Sequence, residues 1–147
     1  MNVKYVILYK LKNRKNIEDI VNICRRLNIE VIYIPREDSE YVPENVQISR
    51  DIYEIVHGLG DNVSFIVLET YGDKYLTEID LGENICVIVG AEDTGIPEIE
   101  INKLPRDRTH VVKIPMGVYG ASYNVVTSLI MMLTECLIRT YDEGILD

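Results

Sequence analysis

Apolar runs and helically spaced stretches alternate along this chain. Residues 3–9 alternate loosely and are rich in β-formers, so they read as a first strand. Residues 30–34, 64–68, 85–89 and 110–114 are further short apolar runs, with the length of strands buried on both faces. Between them lie helical patterns. Ile17, Ile20, Val21, Cys24 and Leu27 recur at helical spacing over residues 16–28, with Asn16 as the expected N-cap and Glu18 and Asp19 in the first turn. Ser49 is expected to cap a second helix running to residue 57, stopped by Gly58 and Gly60. A short helical piece to about residue 80, another over 97–103, and a long final helix over 122–141 complete the set. This alternation predicts one α/β domain spanning residues 1–147, with a mainly parallel sheet and helices on both faces.

The final helix carries more apolar surface than one core requires. Val125, Val126, Leu129, Ile130, Met131, Met132, Leu133, Cys136, Leu137 and Ile138 spread beyond a single stripe. At 1.5 Å per residue the helix would be roughly 30 Å long. Either its own domain wraps this helix, or one side lies on the sheet and the other on a second copy of the chain; the second arrangement, a homodimer, is the one expected.

Open parallel sheets place ligands beyond the C-terminal ends of their strands. Here those ends are Leu68–Glu69–Thr70, the turn from Gly90 to Gly95, and the glycine-rich stretch after Ile114. Gly90-Ala91-Glu92-Asp93-Thr94-Gly95 lacks the Gly-Lys-Ser/Thr ending of a phosphate loop and the spacing of dinucleotide folds. Two glycines and a proline crowd the second stretch, as if backbone must approach a ligand or another backbone closely.

Gly90-Ala91-Glu92-Asp93-Thr94-Gly95-Ile96 and Ile114-Pro115-Met116 … Ser122-Tyr123-Asn124 resemble, in order and spacing, the last two motifs of SPOUT RNA methyltransferases. The branch nearest in wording is that of the tRNA/rRNA ribose 2′-O-methyltransferases, which have Gly-Asn-Glu-x-x-Gly and Ile-Pro-Met … Ser-Leu-Asn. Ala91 and Tyr123 depart from that wording. The resemblance implies a C-terminal trefoil knot, a homodimer packed through the last helix, RNA as substrate and S-adenosylmethionine as cofactor. It also implies a cofactor site drawn from Leu68, Glu69, Gly90, Glu92, Gly95, Ile114, Met116, Gly120, Ser122 and Tyr123.

The family's first motif is only partly present. Asn16 can take its Asn, but Glu18 stands for the Gly and Asn22 for the Arg. An amide cannot act as a general base. Arg25, one helical turn on, is the substitute expected beside Asn16 and Asn124 as the catalytic set, with Arg14 or Arg26 as alternatives. Ribose 2′-O and base methylation both stay open, as does a non-catalytic SPOUT-derived protein that binds RNA or a protein partner.

Charge is unevenly distributed along the chain. The net charge is −9, yet residues 1–36 hold eight Lys/Arg against three acids. A basic N-terminal region on an acidic protein can dock phosphates locally, or can be an ordinary solvated surface. Cys24, Cys86 and Cys136 are isolated in apolar surroundings, and His57 and His110 are far apart, so no metal site is expected. No apolar run approaches the roughly 20 residues of a membrane span. The expected location is the cytoplasm.

Overall fold

A computed structural model describes residues 1–114 and 124–142. Met116, Gly120, Ser122 and Tyr123 lie outside the described residues, and so does the segment on which the expected knot depends. The elements run β1 (Val3–Tyr9), α1 (Arg14–Arg26), β2 (Glu30–Ile34), β3 (Gln47–Ile48), α2 (Ile52–Leu59), β4 (Ser64–Leu68), β5 (Lys74–Tyr75), β6 (Ile85–Gly90), α3 (Glu98–Ile101), β7 (Thr109–Lys113) and α4 (Val125–Asp142). Seven strands form one sheet in the order β3-β2-β1-β6-β4-β7-β5. Each pairing within it is parallel.

Alternation within the strands divides the core into two layers. Val6, Leu8, Val87, Val89, Val31 and Tyr33 face the side covered by Ile17, Ile20 and Cys24 of α1 and by Leu129, Met132, Leu133 and Cys136 of α4. Ile7, Tyr9, Cys86, Ile88, Ile32 and Ile34 face the other side, under Ile52 and Ile55 of α2 together with Ile96 and Leu104. Period 2 in the strands and period 3.6 in the helices meet here as the sequence pattern requires. Each parallel crossover returns the chain across the sheet. Thus α1 starts beside the C-terminal ends of the strands and finishes beside their N-terminal ends.

Several boundaries differ from the pattern. α1 begins one turn early, because Asn13 rather than Asn16 caps it by accepting the Asn16 N–H at 3.1 Å. Its first turn then carries Arg14 and Lys15, which pair with Glu18 and Asp19 one turn on. Asp51, not Ser49, caps α2, accepting from the Tyr53 N–H. The piece before residue 80 is the edge strand β5 and a single 3-10 turn at Leu76–Glu78. Two-residue strands such as β3 and β5 carry no periodicity for a sequence reading to find.

On α4, Leu129, Met132 and Cys136 are buried within the chain. Ile130 and Ile138 keep 44% and 50% of their surface exposed, so the helix does present a second, uncovered apolar side. Among the described residues no helix is long and apolar enough to cross a membrane.

Candidate cofactor turn

Strand register brings the candidate loops into one row. Tyr9 pairs with Ile34 on one side and with Gly90 on the other. Leu68 pairs with both Val89 and Val112. The chain therefore leaves β2, β1, β6, β4 and β7 at nearly the same level, and the segments beginning at Pro35, Lys10, Ala91, Glu69 and Ile114 share one rim.

The turn after β6 folds tightly on itself. The Gly95 N–H donates to the Ala91 carbonyl at 2.7 Å, and Gly95 takes φ +68°, a conformation that favours glycine. Space is as restrictive as conformation. A Cβ at Gly90 would lie 2.5 Å from Ile96 Cγ1 and 2.8 Å from Glu69 Oε1, and one at Gly95 would lie 2.9 Å from Glu69 Oε1. Both glycines thus let the end of β4 and the turn after β6 approach each other.

Glu69 joins the two. Its Oε1 accepts the Ile96 N–H at 2.8 Å. Burial raises its pKa, opposed by that backbone hydrogen bond. Tyr71 closes the same junction, its hydroxyl donating to the Ile96 carbonyl at 2.7 Å. Leu68, Glu69, Gly90 and Gly95 are therefore assembled as one unit, with Ile114 half-buried at the end of the neighbouring strand.

Glu92 points its carboxylate toward the start of α1. It accepts from the main-chain N–H of Lys12 at 2.7 Å, the N–H of Asn13 at 3.0 Å and the Asn16 side-chain amide at 3.0 Å. Burial works against its charge, but these three hydrogen bonds together hold its pKa below the usual carboxylate value. Asn16 and Glu92, distant in sequence, are thus brought together.

Arg25 is not. It lies at the far end of α1, nine residues or about 13 Å of helix from Asn16. Its guanidinium donates to the Asn22 side chain. It also lines a cavity of about 290 Å³ with Val21, Asn28, Ile29, Glu30, Val31 and Asn45, at the N-terminal end of β2 and away from the turn after β6. Asn124 is committed differently again. Its side-chain oxygen accepts from the N–H groups of Val126 and Thr127, capping α4. Two residues that the sequence reading passed over belong to the rim. Tyr71 has been described, and Arg36 pairs with Asp93 through both carboxylate oxygens. Arg36 follows β2 directly, and its position at a strand C-terminal end was the available signal.

Comparison with known proteins fixes the family. The sequence profile of the SpoU rRNA methylase family matches residues 4–134. The chain belongs to that family. The resemblance read from the two turns is therefore borne out, and with it the S-adenosylmethionine-dependent RNA methyltransferase reading. Solved structures share the fold. One, solved for the 2-OH methylation of C/U34 on tRNA, is 16% identical with a TM-score of 0.75, covering 90% of this chain and 93% of its own. The SpoU methyltransferase AviRb from Streptomyces viridochromogenes, in complex with AdoMet, is 16% identical with a TM-score of 0.79. It covers 95% of this chain, which spans 58% of AviRb. The A. aeolicus TrmH/SpoU tRNA modifying enzyme is 18% identical with a TM-score of 0.74, covering 97% of this chain and 77% of its own. No curated protein matches the chain in sequence.

The donor set suits the cofactor. Main-chain groups of a tight glycine turn can read an adenine edge, and a carboxylate with spare acceptor capacity suits hydroxyl or amine donors. Among the described residues, Leu68, Glu69, Gly90, Gly95 and Ile114 would hold it.

Proposed function

We propose that this protein methylates a tRNA or rRNA at the rim formed by the ends of β1, β4, β6 and β7. One observation carries the reading. In a member of an RNA methylase family, the glycine turn after β6 closes onto Glu69 at the ligand-binding edge of a parallel sheet. S-adenosylmethionine supplies a methyl group activated by its sulfonium centre. The chain's task is then to hold an RNA oxygen or nitrogen in line with that methyl and to keep both still. Asn16, fixed by Glu92, stands beside the turn and can position the RNA acceptor.

The RNA would reach this rim through the basic N-terminal region, at the end of α1 where Lys10, Lys12, Arg14 and Lys15 cluster. Arg14 lies 4.3 Å from the centre of the Tyr41 ring, so a cation and an aromatic face share that corner. A homodimer through α4 is supported by the uncovered Ile130 and Ile138. The sheet order, with β7 beyond β4 from β6, suits a threaded C-terminal segment of the SPOUT kind. Three buried free cysteines suit a reducing cytoplasm. Burial pushes the thiols of Cys24 and Cys136 up to about 12 and 11 and raises Cys86 as well.

A second reading has one observation in its favour. Asn22 is uncharged and held by Arg25, so the rim shows no motif-one arginine. A relative that keeps the fold and binds RNA or a partner without transfer would look like this. Titration calorimetry with S-adenosylmethionine, followed by transfer of labelled methyl groups to total RNA, separates the two. The expected result is micromolar binding and RNA-dependent label. Absence of binding at millimolar cofactor would overturn the proposal, and binding without label would favour the second reading. Light scattering tests the dimer: Ile130→Glu should give a folded monomer, whereas a parent that is already monomeric would refute it. Leu129 is unsuitable, being buried within its own chain.

A further inference from the structure

Both acidic side chains of the turn after β6 are already committed within the protein. Glu92 is held by the start of α1. Asp93 is held by Arg36, whose Nη1 donates to Oδ1 and Nη2 to Oδ2, each at 3.1 Å. A second hydrogen on Nη1 reaches the Lys10 carbonyl, also at 3.1 Å. One guanidinium therefore bridges the end of β1, the end of β2 and the turn after β6.

Exposed ion pairs usually contribute little, since water screens them and two long side chains must be ordered. This pair differs in three respects. It is bidentate, so direction as well as charge is fixed. The side chains retain only 27% and 37% of their exposure. And the third hydrogen bond goes to main chain that the sheet already immobilises, because the Lys10 N–H donates to the Ile34 carbonyl at 2.9 Å. Arg36 thereby transmits the rigidity of two adjacent strands to a turn that, among the described residues, has no strand partner beyond Gly90.

The other side of the turn leaves little room for error. Two residues after Asp93, the Gly95 Cα faces Glu69 so closely that a Cβ there would approach Oε1 to 2.9 Å. A shift of a few tenths of an ångström at Asp93 would change that gap, and with it the main-chain surface offered to a nucleoside. We infer that Arg36 is a positioning residue for the cofactor turn, and that affinity for S-adenosylmethionine depends on its bridge to Asp93. This rests on the reading that the turn holds the cofactor.

The test is calorimetric titration of S-adenosylmethionine into the full chain and into Arg36→Ala, Asp93→Ala, the double alanine variant, Arg36→Lys, and the exchange Arg36→Asp with Asp93→Arg. Thermal unfolding without cofactor accompanies each. Either single alanine variant should weaken binding about tenfold, the double variant no more than either single. Arg36→Lys, which keeps charge but loses the fork, should fall between parent and Arg36→Ala. The exchange should recover most of the affinity, which a merely structural loss would not do. Unliganded melting temperatures should stay within about 4 °C of the parent. Parent-like binding by Arg36→Ala overturns the inference, as do losses that add in the double variant. A variant that binds cofactor normally but loses RNA in filter binding overturns it too, making Arg36 an RNA contact. If Arg36→Ala does not fold, Arg36→Lys and Asp93→Ala carry the same comparison. Failure of the parent itself to bind would instead overturn the reading of the turn as a cofactor site, and the inference with it.

Discussion

The two ends of α1 carry similar charge and do different things. At its start, the Lys12 and Asn13 main chain and the Asn16 side chain converge on Glu92, a residue 76 positions beyond Asn16. At its finish, Arg25 and Arg26 are exposed, and among the described residues Arg25 hydrogen-bonds Asn22 on its own helix. About 20 Å of helix separates the two ends. A count of Lys and Arg over residues 1–36 sums these ends into one basic region. The fold divides it into a part beside the turn after β6 and a part at the N-terminal ends of the strands. Charge in sequence has functional meaning only once topology says which end of a helix meets which end of a strand.

The strongest way to break the rim end is Glu92→Ala. Three donors would then lose a charged acceptor, and the turn would lose its hold on α1. Because Glu92 is exposed, the cost in stability should be only about 1 kcal/mol, a few degrees of melting temperature. Cofactor affinity should fall more than tenfold, since the turn's position and not the fold is at stake. The pH dependence has a definite sign. Glu92 is held below its ordinary value of 4.5, so its contribution is complete above that value and is lost as pH falls through the lowered one. Melting curves between pH 3 and 7 should show the parent and Glu92→Ala converging at the acid end. Convergence near neutrality, or unchanged cofactor affinity, would refute the clamp.

RNA binding should distinguish the ends next. Lys12→Ala with Lys15→Ala should lower affinity for total RNA about tenfold at low salt and make binding less salt-dependent, as each lost phosphate contact removes counterion release. Arg25→Ala with Arg26→Ala should change it little. The reverse result would move the RNA to the cleft beside Val31 and away from the cofactor turn.

The centre of the sheet was legible because most positions of its strands are buried and apolar: β1, β2 and β4 have the boundaries their patterns predict. Gly90 and Gly95 were legible as points of close approach, since few other needs explain glycines at the end of such a strand. The partners were not. Glu92 reads as a solvated charge or a helix cap, or by family wording as a cofactor residue, until topology brings Asn16 to it. Asn16 reads as a cap until the structure gives that role to Asn13. Arg36 is one cation among eight in the first 36 residues, and only the adjacency of β1, β2 and β6 turns it into a brace. Long-range pairs of this kind leave no spacing signature, so family wording pointed to the turn but not to what holds it.

The smallest predicted effect separates the rim's own two carboxylates and shows that what distinguishes this end is how its charges are satisfied. Among the described residues Glu92 accepts three hydrogen bonds and titrates low, whereas Glu69 accepts one, from Ile96, and titrates high because burial dominates. For Glu69 the ionised form is the one the fold disfavours. Its penalty is therefore present above the raised value and is relieved as pH falls through it toward the ordinary 4.5. Glu69→Gln keeps an oxygen for the Ile96 N–H and removes the charge. Without cofactor its melting temperature at pH 7 should equal the parent's or exceed it by no more than about 2 °C, an effect below about 1 kcal/mol. That difference should shrink as pH falls through the raised value and be gone below the ordinary 4.5. Cofactor should reverse the order: if Glu69 accepts a hydroxyl or amine from S-adenosylmethionine, saturating cofactor should raise the melting temperature of the parent more than that of Glu69→Gln. A variant that melts several degrees below the parent at pH 7 without cofactor would mean that the carboxylate is a net brace of the turn, like Glu92, and would erase the contrast between them.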